Sequence, residues 1–319
     1  MRNMKRRILW AAAVGIIVYF SLSLVVGAFV GEGSLHPARR ALTASEASQD
    51  QPWAHDDDAT LSEVSVAAKD GITLRAWALH PEEWNGNTVL LLHGMGDNRL
   101  GMTGYADMLL VHGYSVLMPD ARAQGASGGD LATYGLLEGD DVHRWVDWLL
   151  TNERPHCVYG FGESMGAAQL LQSLKSEPRF CAVAAECPFS NFREIAYDRM
   201  GQRFGTGPWV GRTILRPLVE SAFLYVRWRH GLDMRRVSPE DVVAASDVPV
   251  LVIHGENDNN IPIRHSVRIA DRNQRVALWK VPHAGHSNAI DAAPQELQER
   301  LIGWFEGHPA PQRALDASH

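Results

Sequence analysis

The sequence predicts an α/β fold: a mostly parallel central sheet with helices on both faces, an N-terminal antiparallel hairpin and a helical lid insertion. Three observations predict it. Six short apolar runs alternate with longer stretches whose apolar residues recur every three or four positions. The runs are almost continuously apolar, as strands buried on both faces must be. A hairpin signal precedes them all in "SEVSVAAKDGITLRAWALHP", which alternates in polarity and turns at Asp70-Gly71.

The runs follow in order. They are "TVLLLHG" (88–94), "YSVLMPD" (114–120), "CVYGFG" (157–162), "CAVAAECP" (181–188), "VPVLVIHG" (248–255) and "VALWKVP" (276–282). Stretches such as "LLEGDDVHRWVDWLL" between them have helical periodicity. The longest interval, about 189–246, is helical in pattern, rich in aromatic residues and arginine, and too long for a simple crossover, so it reads as a lid. Residues 61–307 then form one domain carrying that insertion, a size that supports a large core, and 308–319 read as a flexible tail.

The first thirty residues are a separate module. "MRNMKRR" precedes residues 8–30, which hold no charge and are long enough to cross a hydrocarbon core. The flanking positive charge places the short N-terminus in the cytoplasm and the rest outside it, periplasmic or extracellular. The alternative is a cleaved signal, with Val26-Gly27-Ala28 as a small-residue cleavage site; signal cores usually run about 7–15 residues, which favours the anchor. Residues 31–60 are small, polar and aperiodic and read as a tether. His55 with Asp56, Asp57 and Asp58 could suggest a metal, but on a tether it reads as a solvated charge run.

Charge and cysteine usage narrow the partners. The chain carries −7, and Arg2, Lys5, Arg6 and Arg7 precede every acid, so everything from Glu32 onward carries −11. Such a body is a poor partner for nucleic acid. Of the three cysteines, Cys157 and Cys181 each open a strand-like run, and neighbouring parallel strands could bring them within bridging distance. The plainer reading takes all three as small buried hydrophobes.

In open parallel sheets ligands bind at the carboxyl ends of the strands, so the residues closing each run carry the chemistry. After the first run stands His93-Gly94-Met95-Gly96, and after the third Gly162-Glu163-Ser164-Met165-Gly166. After the fifth comes "HGENDNNIP" with Asp258, and after the last "PHAGHS" with His286. G-x-S-x-G alone is weak; between a strand and a helix it holds a serine hydroxyl exposed on a tight turn. A serine needs a base, and the base needs a partner that fixes its tautomer. His286 and Asp258 supply these in the order Ser, Asp, His. Rivals are His283 for the base and Asp247 or Glu256 for the acid. His93, His254, Asp120, Arg122 and Glu138 read as structural supports of their loops.

Four motifs, "LLHGMGDN", "DARAQGASGG", "GFGESMG" and "IHGENDNNIP…PHAGHS", resemble in order those of the α/β-hydrolase fold, in the branch of exported or membrane-tethered bacterial hydrolases related to serine aminopeptidase-like and Bem46-like proteins. The resemblance covers 61–307. It implies Ser164 as nucleophile, His286 as general base and then acid, Asp258 as its orienting group, and the backbone N–H groups of Met95 and Met165 as oxyanion donors. Where the family commonly has Gly and His in the second motif, this chain has Ala123 and Gln124, and His283 stands where Gly is frequent. The expected activity is cleavage of a carboxylic ester or related acyl bond in a small-molecule acyl substrate, with no cofactor and no metal. The alternatives are a serine peptidase acting on small peptides and a non-catalytic binding module at the membrane.

Overall fold

The computed structural model describes residues 2–43, 46 and 59–310. The charge run His55 to Asp58 and the tail beyond 310 lie outside the described residues. The described residues form two compact units, one drawn from 37–191 and 237–310, the other from 2–36 together with Phe192–Arg236.

The larger unit is built on an eight-stranded sheet. Its strands are β1 (Thr60–Ala67), β2 (Thr73–His80), β3 (Asn87–Leu92), β4 (Ser115–Pro119), β5 (Cys157–Glu163), β6 (Phe180–Glu186), β7 (Val250–Gly255) and β8 (Val276–Val281). Their spatial order is β1-β2-β4-β3-β5-β6-β7-β8. β1 and β2 pair antiparallel and β2 pairs antiparallel with β4; every other pair is parallel. The chain leaves β3 toward β4 on one side and returns to β5 on the other. The loops after β3 and β5 therefore diverge at the switch point, the place where open parallel sheets generally bind ligands.

Alternation along the strands feeds two cores. Leu91, Tyr159, Phe161 and Ile253 pack on one face, while Leu90, Leu92, Val158 and Val252 pack on the other. The first face is covered by α2 (Thr103–Leu110), α10 (Ala289–Ala292) and α11 (Pro294–Glu306), the second by α3 (Glu138–Asn152), α4 (Met165–Ser173), α8 (Pro239–Ala245) and α9 (Arg264–Ala270). Coverage of both faces is why these strands read as unbroken apolar runs.

Two readings need correction. Cys157 and Cys181 are joined in a disulfide between the adjacent strands β5 and β6, with Cα atoms 5.8 Å apart, and only Cys187 is a free, buried thiol. The stretch 31–60 is not a tether throughout: the N-terminal helix continues to Leu35. Beyond it, Arg39 donates to Gly125 O at 3.0 Å and Arg40 pairs with Asp97 at 2.7 Å, which pins this segment beside the β3 and β4 loops.

The second unit contains α1 (Arg2–Leu35) with α5 (Phe192–Arg203), α6 (Pro208–Arg212) and α7 (Arg216–His230). Pro at the first turn of α6 and α7 fits the fixed φ that a helix start requires, and Gly231, at φ 71°, closes α7 in the left-handed conformation. Phe192 packs edge-on against Phe223. The interval read as a lid, 189–246, is thus shared: 192–236 forms this unit, whereas α8 belongs with the sheet.

Candidate active site

Ser164 sits between β5 and α4 with φ 50° and ψ −108°, a conformation that L-residues seldom adopt. The turn is forced by close approach. A β-carbon on Gly166 would lie 2.2 Å from Leu92 O, and one on Gly162 2.6 Å from the Gly166 carbonyl carbon. Glycine at both positions lets β3, β5 and α4 converge, and convergence lifts the serine out of the strand.

The ends of β7 and β8 bring its partners. His286 Nε2 lies 2.8 Å from Ser164 Oγ, and His286 Nδ1 lies 2.7 Å from Asp258 Oδ2. A carboxylate only accepts, so Nδ1 carries the proton and Nε2 is left to accept from the serine hydroxyl. Asp258 Oδ1 accepts the N–H groups of Asn260 and Ile261 at 2.7 and 2.8 Å. Burial opposes its charge, but the bonds from His286 and Ile261 outweigh it and hold its pKa below the ordinary value. The rivals lie elsewhere: Asp247 pairs with Arg275 at the surface, and Glu256 and His283 are exposed.

Met165 opens α4 immediately after the serine, so its N–H is among the first four of the helix, which have no partner inside it. Met95 follows Gly94, and a β-carbon on Gly94 would lie 3.8 Å from Ser164 Cβ. Both N–H groups thus belong to turns adjoining the serine. His93 supports the first of these turns, with Nδ1 donating to Gly94 O at 2.7 Å and Nε2 accepting from Ala121 N at 3.0 Å. Beneath it the buried pair Arg99 and Asp120, at 2.8 Å, ties the loop after β4 to the turn after β3. Arg122 pairs with Asp141 at 2.6 Å, and Glu138 accepts from Thr133 and Gly135. His254 is held between Ser266 Oγ and Ile261 O.

Three residues with no role in the sequence reading also border this group. Glu163 accepts from Gly94 N at 3.3 Å; burial, with Glu186 nearby, pushes its pKa up to about 8. Glu186, fully buried and also raised by burial, accepts from Tyr105 Oη at 2.7 Å and from Ala289 N at 3.0 Å, three residues past His286. Its main-chain oxygen takes the Ser164 N–H at 2.8 Å. For the two acids the only sequence signal is their place at the carboxyl ends of the third and fourth apolar runs. Cys187 Sγ accepts from Ser287 N at 3.5 Å, and its sulfur, a His254 nitrogen and an Asp258 oxygen lie within 4.8 Å of one another. These atoms could hold a metal only by giving up existing bonds, and burial raises the thiol pKa, away from the thiolate a metal needs.

A sequence model of the alpha/beta hydrolase family matches residues 89–300. The uncharacterized protein YqkD of Bacillus subtilis is 30% identical over 205 residues, covering 63% of this chain and 65% of its own length. The chain thus spans just under two thirds of that relative. Among solved structures, the Pyrococcus furiosus esterase Pf2001 superposes with a TM-score of 0.68 at 23% identity, over 86% of this chain and 99% of the esterase. Pyrococcus horikoshii acylaminoacyl peptidase superposes with a TM-score of 0.59 at 17% identity, over 79% of this chain and 42% of the peptidase.

Proposed function

Since the chain belongs to the alpha/beta hydrolase family, we propose that it is a serine hydrolase cleaving carboxylic esters or related acyl bonds through an acyl-Ser164 intermediate. One observation carries this reading: the unbroken relay from Ser164 Oγ through His286 to Asp258, at 2.8 and 2.7 Å. In the proposed reaction Ser164 Oγ attacks the acyl carbon while His286 Nε2 takes its proton. The imidazolium is stabilised by Asp258. The oxyanion is met by the N–H groups of Met165 and Met95, donors of a kind worth about 3–4 kcal/mol each. His286 then returns the proton to the leaving alcohol, and a water activated by the same nitrogen releases the acid. Ser164→Ala and His286→Ala should each lower turnover of short acyl esters by roughly 10^4- to 10^6-fold with unchanged thermal unfolding. Turnover within tenfold of wild type in either variant would overturn the assignment.

The same relay serves amides, and likeness to an acylaminoacyl peptidase favours a second reading, a serine peptidase acting on small peptides. Paired p-nitrophenyl acyl esters and aminoacyl p-nitroanilides separate the two by kcat/KM.

We also propose that α1 is a retained membrane anchor holding the larger unit outside the cytoplasm. An 18-residue window within it has a mean hydropathy of 2.4, which supports a span. The Cys157 to Cys181 disulfide supports an oxidising compartment. Retention is supported by Gly27, which lies within the candidate cleavage site yet packs in backbone contact with α7.

A further inference from the structure

The face of α1 that packs on α7 is made of small residues. Ser23, Gly27, Gly31 and Leu35, spaced by four, are its buried residues. A β-carbon on Gly27 would lie 2.6 Å from Ser221 Cβ and 2.7 Å from Leu218 O, and one on Gly31 2.9 Å from Ala222 O. The two helix backbones therefore touch, as membrane helices do through small residues.

The contacts fix the direction of α7. Along α1, Tyr19 bonds Ile214 O, Gly27 meets Leu218 and Ser221, Gly31 meets Ala222 and Val226, and Glu32 accepts from Tyr225 at 3.0 Å and meets His230 at 2.9 Å. Positions rise together, so the helices run parallel over Tyr19 to Glu32, roughly 20 Å at the helical rise. The charge-free stretch of α1 ends only just before Glu32. Whatever surrounds the last turns of that stretch must also surround α7.

The outward side of α7 suits a bilayer boundary. Leu224 and Trp228, one turn apart, are 56% and 80% exposed, and Ile214 and Trp209 just before the helix are 55% and 66% exposed. Glu220, the acid within the helix, is paired with Arg193 at 2.8 Å, while Arg216 and Arg229 are exposed and long enough to reach phosphates from beside an apolar surface. Exposed tryptophan and arginine beside aliphatic side chains is the composition found where a protein surface meets the outer boundary of a bilayer.

We propose that α6 and α7 form a second membrane contact, standing beside the outer half of α1 in the outer leaflet of the bilayer that α1 crosses. This rests on α1 being a retained anchor. The test uses the full chain reconstituted in phosphatidylcholine and phosphatidylglycerol vesicles, with a nitrobenzoxadiazole fluorophore on Leu224→Cys, Trp228→Cys, Val18→Cys of α1 or Val111→Cys, exposed in the sheet unit. All four positions are exposed, so wild-type thermal unfolding is expected. Doxyl groups on the lipid chains should quench labels at 18, 224 and 228 at least twofold, leaving 111 open only to aqueous iodide. If 18 is quenched by lipid while 224 and 228 respond only to iodide, the proposal falls and the anchor stands. If all four respond only to iodide, both fall. Shielding of 224 and 228 from both quenchers would mean a second copy covers the patch, which also overturns the proposal.

Discussion

At the residue scale, the role proposed for Asp258 is to stabilise the imidazolium and fix the tautomer, so Asp258→Asn should lower turnover by about 10^4-fold while Ser164 and His286 stay in place. A loss under tenfold would mean that another group orients His286. Glu163 gives a separate, pH-dependent prediction. Its carboxyl has an ordinary pKa of 4.5, and in the fold burial and Glu186 push this up to about 8. Between those values the native chain holds a proton that the unfolded chain has released, so stability falls as pH rises through that window. Thermal unfolding of wild type should therefore drop more between pH 5 and pH 8.5 than that of Glu163→Gln. Asp141, raised to about 6, contributes equally to both proteins. Parallel Tm profiles would contradict the assignment. Ser164, Asp258 and His286 were legible because each stands in a motif at a strand end. Glu163 and Glu186 were not, because their effect arises from two neighbouring strands burying both acids together.

At the element scale, two of the three departures from the family motifs share a physical basis. Ala123 and His283, where glycine is common, both adopt left-handed backbone, at φ 59° and 61°. For an L-residue this costs about 1–2 kcal/mol, partly offset by its lower unfolded-state entropy relative to glycine. Ala123→Gly should leave Tm unchanged or raise it, and a clear drop would mean that the Ala123 methyl contributes packing. Gly166→Ala should do the opposite, driving a methyl into Leu92 O and losing both stability and activity. The disulfide closes a loop across a sequence separation of 24, which chain entropy values at about 3.5 kcal/mol, so Cys181→Ser should lower Tm on the order of 10 °C. Thiol titration of the denatured protein should find one free thiol, and three after reduction. Three without reductant would contradict the pairing. Sequence could mark Cys157 and Cys181 as strand openings; that β5 and β6 are neighbours is a property of strand order and was not written locally.

At the scale of the whole molecule, a basic N-terminus, a long apolar helix and an acidic body predict a protein that stays with the membrane through alkaline carbonate washing and keeps residues 2–35 by intact mass. Release into the soluble fraction with a shortened N-terminus would establish cleavage. The apolar length of α1 was plain in the sequence, and so was the four-residue spacing of Ser23, Gly27 and Gly31. Their partner was not, because α7 lies nearly two hundred residues away and no local pattern links the two. The hydrolytic assignment is tested most directly by exposing the full chain to a fluorophosphonate probe and locating the adduct by peptide mass spectrometry. One probe per chain on Ser164, absent in Ser164→Ala and strongly slowed in His286→Ala, is the predicted result; no adduct in wild type, or equal labelling of wild type and Ser164→Ala, would contradict it.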